Sequence, residues 1–525
     1  MPAAAFAQGH ARGNPFTVLH AGDYHHYVVQ FAADESAATG HQPSDEWPWI
    51  EANIPLFSSS DKQFEEMYYF RWYAWQKHVV QTKRGYLITE WLPKPLAPDG
   101  SYGALPDAAA FHLGEARWLR NPRIADDDAR FWISPGARPR LYSFALAASV
   151  RNVTLTTGNT RLGTEMLPGL IANYKAWEAS QFDPSVGLFW SIDTRDAMEK
   201  SISGDGYRPT LNSYMVGDAS AIATFARAAG QTAAANEYTA KADTLEHLVE
   251  TKLWNAKDRF YEAVSPAADS GIRKQKKFKD PGTILKSSGV RELIGYIPWG
   301  YYTPTASHDV AWKQLFDPEG FAGKYGPTTA ERRSPRFRFR SSDQCTWNGP
   351  SWPYATTQTL LALADLLNGP PQPYIGSQQY YQLFSNYVIS QHLRLPDGRV
   401  IDWIDEDLDA DTDEWIAKDM LIAKHKQVGR GNYYNHSGFA DPLITGLIGL
   451  RPRSDRKLVL HPLLPAGVWS YFALDGLPYH GYLLTIVYDQ SGRHYRRGRG
   501  LMVFVDGRKI AGRATLGPLE AKLPK

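Results

Sequence analysis

The chain has 525 residues, 43% hydrophobic and 21% charged, which are values of a folded globular protein and exclude a disordered, collagen-like or coiled-coil chain. Lys plus Arg (57) nearly balance Asp plus Glu (55), leaving +2, so no global field draws nucleic acid or anionic lipid. The single cysteine, Cys345, excludes an intrachain disulfide and a cysteine metal cluster, and no apolar run is long enough to span a bilayer.

Near the start, Ala5-Phe6-Ala7 has the small-x-small form of a signal-peptidase site and points to a periplasmic or secreted protein, although charged and apolar regions are missing upstream. From 14 to 55, short apolar stretches such as Tyr27-Val28-Val29 between Gly, Pro and Asp predict strands and loops. The period changes at Asp61. Phe64, Met67, Tyr68, Arg71, Trp72, Trp75 and Val79 recur at three and four residues, the mark of one buried helical face. Similar stripes run through Leu146 and Val150, Leu167 and Tyr174, Tyr238 and Leu245, Leu360 and Leu367, and Tyr380 and Tyr387. Gly158, Gly230 and Gly369 follow helical stripes as C-terminal stops. Short connections alternate with long segments rich in Gly, Pro, Trp and Asp, which suits paired helices in a ring with functional loops gathered at one end.

The basic stretch at 273–279 has no aromatic platform and reads as a solvated loop. After Pro452, Leu483 to Tyr488 and Leu501 to Val505, with the turn Asp506-Gly507, predict a small antiparallel module that pairs with the N-terminal strands. The expected divisions are 1–57 for N-terminal strands and loops, 58–452 for a helical domain and 453–525 for a β-sandwich module.

Three loop segments carry chemistry. In the first, Asp193, Asp196 and Glu199 crowd behind Trp190 and before Arg208; crowding and aromatic cover disfavour ionisation, as a general acid requires, whereas helix capping and pairing with Arg195 or Arg208 is the plainer role. In the second, Asp402, Asp405, Glu406, Asp407, Asp409, Asp411, Asp413 and Glu414 lie between Ile401 and Trp415. Calcium is the rival there, but glycine at the sixth position and glutamate at the twelfth are missing, so no metal is expected and a carboxylate beside Trp403 serves as a base. In the third, Trp347, Asn348, Pro350, Trp352 and Pro353 form a stiff aromatic wall with a polar edge. No acyl-transfer serine motif, phosphate loop, dinucleotide fingerprint or His-Glu-x-x-His is present.

These segments resemble the (α/α)6-barrel glycosidases related to mannosylglycerate hydrolase and glycoside hydrolase family 63, over roughly 60 to 450. The resemblance implies a mainly α fold, an (α/α)6 toroid with a small antiparallel β-sandwich module, and no cofactor. Trp190 through Arg195-Asp196 matches the family's acid segment, which implies Asp196 as general acid. Glu406 through Asp413 follows its base segment in spacing and partly in identity, which implies Glu406 as general base and leaves Asp405, Asp407 and Glu414 open. Sugar contacts are expected among Tyr68, Arg71, Trp72, His112, Trp190, Arg208, Trp299, Trp347, Asn348, Trp352 and Tyr434, with His436 structural. The implied enzyme is exo-acting and inverting, and removes terminal α-glucosyl or α-mannosyl units from oligosaccharides or small glycosides. Such enzymes hold their two carboxyls about 6.5–9.5 Å apart. Other readings are an arabinofuranosidase or rhamnosidase specificity, a phosphorolytic or lyase reaction, and a non-catalytic sugar-binding protein.

Overall fold

The computed structural model describes residues 16–92, 103–266, 285–340, 345–426 and 429–524; Ala5-Phe6-Ala7 and the basic stretch at 273–279 lie outside them. The N-terminal segment corrects the sequence reading. It forms helices α1 (His25–Thr39) and α2 (Trp47–Asn53), not strands. Tyr24, Tyr27, Val28 and Phe31 are buried at helical spacing while Val29 is exposed, so one amphipathic face outweighs the β propensity of Val28-Val29. The one strand of this region, Leu56–Ser59, pairs antiparallel with Tyr471–Tyr479 of the C-terminal module. The expected union of the two ends thus rests on four residues.

Helix α3 (Lys62–Gln76) starts where the Asp61 carboxylate accepts from the backbone of Gln63 and Phe64, and its predicted stripe is buried from Phe64 to Trp75, whereas Val79 falls beyond the helix in the strand Val79–Thr82 and is half-buried. It is followed by α4 (Ala109–Ala116), α5 (Arg123–Phe131), α6 (Leu146–Thr157), α7 (Arg161–Gln181), α8 (Pro209–Ala228) and α9 (Thr232–Lys252). After a 3-10 segment, Leu293–Gly300, come α10 (Pro353–Asn368), α11 (Ser377–Ile389) and α12 (Ile416–Ala423), and a short helix, Ala440–Pro442, runs into the π turn Leu443–Leu447. Gly158 closes α6 in the left-handed region at φ 67, which a β-carbon would disfavour.

Packing follows a circuit: α4 lies against α6, α6 against α8, α8 against Leu293–Gly300, that segment against α10, α10 against Ala440–Pro442, and that helix back against α4. Second helices cover this circuit: α7 and α9 lie against α8, and α11 lies between α10 and α3. The C-terminal strands Tyr471–Tyr479, Tyr482–Asp489, Gly500–Val505 and Arg508–Arg513 form an antiparallel sheet with Leu56–Ser59 at its edge. A second sheet joins Leu188–Ser191 to Gly206–Tyr207 and Val264–Pro266, and the first acidic loop leaves from its strand Leu188–Ser191. Among the described residues no helix is long and apolar enough to cross a membrane.

Candidate active site

Strand Leu188–Ser191 turns through Asp193–Asp196, and Ala197 at φ 56 reverses the chain so that residues 196 and 199 face different surroundings. Asp196 points into the protein. Its carboxylate accepts from Arg208 Nε at 2.6 Å, Ser143 Oγ at 2.5 Å and Ser191 Oγ at 3.2 Å, and both members of the ion pair have fully buried side chains. Arg208 is held in turn by Ser203 Oγ and the Gly204 carbonyl. A carboxyl group held by a guanidinium and two hydroxyls, with its side chain fully buried, has no open side toward a ligand. The geometry therefore departs from the expectation for Asp196 as acid and for Arg208 as a sugar contact.

Glu199, three residues on, is only partly buried. Its backbone carbonyl accepts from Trp347 N–H at 3.0 Å, which ties the acidic loop to the aromatic wall, and Cys345 Sγ lies 3.3 Å from its Oε2. Burial raises its pKa to about 7, with Asp107 and Asp193 adding to the rise. Asp193 is also raised by burial, but its carboxylate caps its own turn through Thr194 N–H.

In the second loop, Glu406 is buried and receives a bidentate pair of bonds from Arg430 Nε and Nη2. Burial raises its pKa to about 7; Arg430 opposes the rise, while Asp405 and the charge of Glu199 support it. Glu199 and Glu406, 207 positions apart in sequence (406 − 199), are thus close enough to feel each other electrostatically. The alternatives for the base have other work. Asp405 accepts from Trp403 Nε1 and from Glu406 N–H, Asp407 accepts from Ala417 N–H at the start of α12, and exposed Glu414 pairs with Arg340.

Two further acids complete the site, and both were missed in the sequence. Glu90 and Asp107 are buried, and Glu90 Oε2 and Asp107 Oδ1 have no partner among the described residues; burial raises Asp107 to about 6 and Glu90 well above its ordinary value, with the charge of Asp107 adding to the rise of Glu90. Tyr434 Oη donates to Glu90, and the charge of Glu406 pushes Glu90 further up. Each acid stands alone in the sequence, Glu90 before Trp91 and Asp107 after Pro106, so no cluster marked them.

Aromatic rings surround these carboxyls. Trp91 stacks on Tyr434 at 4.3 Å, Tyr434 on His436 at 4.0 Å, and Trp347 on Trp352 at 4.6 Å, with His436 edge-on to Trp352 at 5.9 Å. Arg430 lies over Trp91. His436 is buried and uncharged, lowered to about 3 by desolvation, with its ring nitrogens at the carbonyls of Glu406 and Tyr434. Trp347 Nε1, Asn348 Oδ1 and His112 Nδ1 are buried and have no hydrogen-bond partner among the described residues. His112 is oriented by the Asn435 carbonyl at its other nitrogen.

Other expected sugar contacts belong to the protein's own packing. Arg71 donates to Tyr387, Gln391 and Ser437, Tyr68 Oη to the Pro55 carbonyl, and Trp299 Nε1 to Asp309, while Trp72 is enclosed between Tyr68 and Trp75. Trp190 packs on Tyr207 behind the acidic loop. These side chains bury large areas in the core, where helical spacing alone does not separate them from pocket residues.

Residues 101–437 match the family model of the mannosylglycerate hydrolase MGH1-like glycoside hydrolase domain. Among solved structures, a protein named "Sialidase" is 37% identical with a TM-score of 0.86, covering 96% of this chain and 45% of that one, so this chain spans less than half of that relative. A family 78 rhamnosidase of Bacillus sp. GL1 is 11% identical with a TM-score of 0.51, covering 83% of this chain and 41% of the other, a likeness of fold alone. A conserved protein from Thermus thermophilus is 13% identical with a TM-score of 0.50, covering 71% of this chain and 98% of its own length.

Proposed function

The chain belongs to the mannosylglycerate hydrolase MGH1-like glycoside hydrolases, and from that premise we propose an inverting, exo-acting hydrolase in which Glu199 is the general acid and Glu406 the general base. The packing circuit of six helical elements is read as the inner ring of an (α/α)6 barrel. The observation that carries the mechanism is the pair of carboxyls on separate loops, Glu199 beside Cys345 and tied through its backbone to Trp347, and Glu406 paired with Arg430, each raised to about 7 by burial. A raised pKa keeps Glu199 protonated near neutrality, ready to protonate the leaving oxygen. Arg430 keeps a fraction of Glu406 ionised, ready to deprotonate the attacking water. Single displacement needs these two groups on opposite faces of the sugar with room for that water.

The substrate class follows from charge. Glu90, Asp107, Glu199 and Glu406 are raised by burial and so are in part uncharged near neutrality, and beside the stacked rings of Trp91 and Tyr434 they offer the hydroxyls of a neutral hexose donors, acceptors and flat faces. Terminal α-glucosyl or α-mannosyl units are the proposed substrates. Export to the periplasm or medium is proposed with them, from the small-x-small N-terminal pattern.

A panel of chromogenic glycosides, with NMR of the first-formed anomer, tests the reaction; product that first appears with the substrate's own configuration would sink it. On an active substrate, Glu199→Gln lowers kcat about 10²–10⁴-fold with poor leaving groups and much less with activated ones, because only the former need a proton. Glu406→Gln loses activity on both. Asp196→Asn loses thermal stability without that leaving-group dependence. If Asp196→Asn shows the dependence and Glu199→Gln does not, the roles assigned to these two residues are reversed.

A further inference from the structure

A cavity of about 310 Å³ runs along the middle of the helical circuit, walled by α4, α6, α8, Leu293–Gly300, α10 and the segment that follows Ala440–Pro442. It exists because small residues face inward: Gly114, Ala148 and Ala362 line it where larger side chains would close it. Asp107, just before α4 and part of the candidate active site, lines it at one end, while Arg117 after α4 and Asp365 in the last turn of α10 line its charged opposite end.

The charges at that end do not all cancel. Arg117 is paired with Asp441, and Arg451 with Asp365. Arg151 donates to Ser220 Oγ at 3.2 Å and, among the described residues, to no carboxylate. Its Nε has no partner. Asp218, whose charge it feels, accepts from Ala148 N–H and is raised to about 7 by burial, so it offers Arg151 only partial compensation. Around Arg151 the walls combine the apolar and aromatic surfaces of Phe111, Phe144, Tyr301 and Leu361 with the polar side chains of Ser149, Asn152 and Gln358. A guanidinium with an unpartnered Nε in such a chamber matches a carboxylate on a body that carries a flat or aliphatic face.

The geometry points to a second ligand site in this axial cavity, separate from the sugar site, that takes a small monocarboxylate with an apolar body and seats its carboxylate on Arg151. The volume fits one ring with a short side chain, and the ligand's far end meets the wall that carries Asp107.

Calorimetric titration of the full chain with phenylacetate tests it. Expected are saturable one-to-one binding, affinity weakened about tenfold or more in Arg151→Gln, and no binding in Ala148→Leu, which fills the chamber. Glu406→Gln, which alters the sugar site alone, retains wild-type affinity, so failure of the glycosidase reading leaves this result unaffected. The proposal falls if folded wild-type protein shows no saturable binding up to about 10 mM, if Arg151→Gln binds as tightly as wild type, or if Glu406→Gln abolishes binding. Circular dichroism and thermal melting establish that each variant is folded before its titration counts.

Discussion

Asp196 and Glu199 are three positions apart on one loop and have opposite fates. Asp196 is bonded to Arg208, Ser143 and Ser191 and is closed off in the protein, whereas Glu199 has a thiol for a neighbour and is raised to about 7 by burial. The difference comes from the partners, since both begin as ordinary carboxyls. The same reasoning gives a pH signature for Arg430. Its charge lowers the pKa of Glu406 against burial, so Arg430→Gln raises it. A base works only when ionised, and its limb of the rate profile is lost as pH falls through that pKa. The ascending limb of kcat/KM in Arg430→Gln therefore moves to higher pH, with a larger loss at pH 6 than at pH 8. A limb that stays in place would remove Glu406 from the base role.

Helices in this protein are fitted to one another at points where a few atoms decide stability. Gly163 of α7 lies so close to α8 that a β-carbon would sit 2.1 Å from Phe225. Gly163→Val therefore costs about 1–3 kcal/mol in denaturant unfolding, through overpacking between the two helices. Where α6 begins, Asp218 of α8 accepts from Ala148 N–H, and burial raises its pKa from 3.8 to about 7. A folded-state pKa above the unfolded one means that the native state binds the extra proton. The stability it contributes is full below pH 3.8 and is lost as pH rises through about 7. Asparagine keeps the carbonyl acceptor without a charge to desolvate. Asp218→Asn thus melts near wild type at pH 5 and above it at pH 8; a lower melting temperature at pH 8 would show that the ionised carboxylate is needed beside Arg151.

The helical body and the C-terminal sheet share one core. Trp469 leads into the sheet and packs against Phe57 of the edge strand, Phe64 of α3 and Tyr381 of α11. Replacing it by alanine opens a cavity where all three meet, and Trp469→Ala loses about 3–5 kcal/mol of unfolding free energy. Because strand Leu56–Ser59 enters the same sheet, the loss spreads to the helices and a single transition moves to lower temperature. Two transitions, with the helical one unmoved, would show that the sheet folds apart from the body.

Periodicity marked the buried faces of α3, α6, α7, α9, α10 and α11 and the C-terminal strands, because burial of one face imposes a repeat that a single sequence records, whereas the sequence reading assigns no stripe to α4, α5, α8 and α12. Local composition, not periodicity, marked the acidic segment 402–414 and the Trp347–Trp352 wall, and the choice of Glu406 within that segment came from the family resemblance. What periodicity could not separate was a buried aromatic from a pocket aromatic: Tyr68 and Trp72 share a helical stripe with the core and lie in it. Nor could spacing distinguish Asp196 from Glu199, since that choice rests on Arg208, Ser143 and Cys345. Glu90 and Asp107 are raised above ordinary carboxyls only because folding buries them. Tertiary structure decides such points because a carboxyl's charge depends on its surroundings in space, and those are contributed by residues that the sequence leaves far apart.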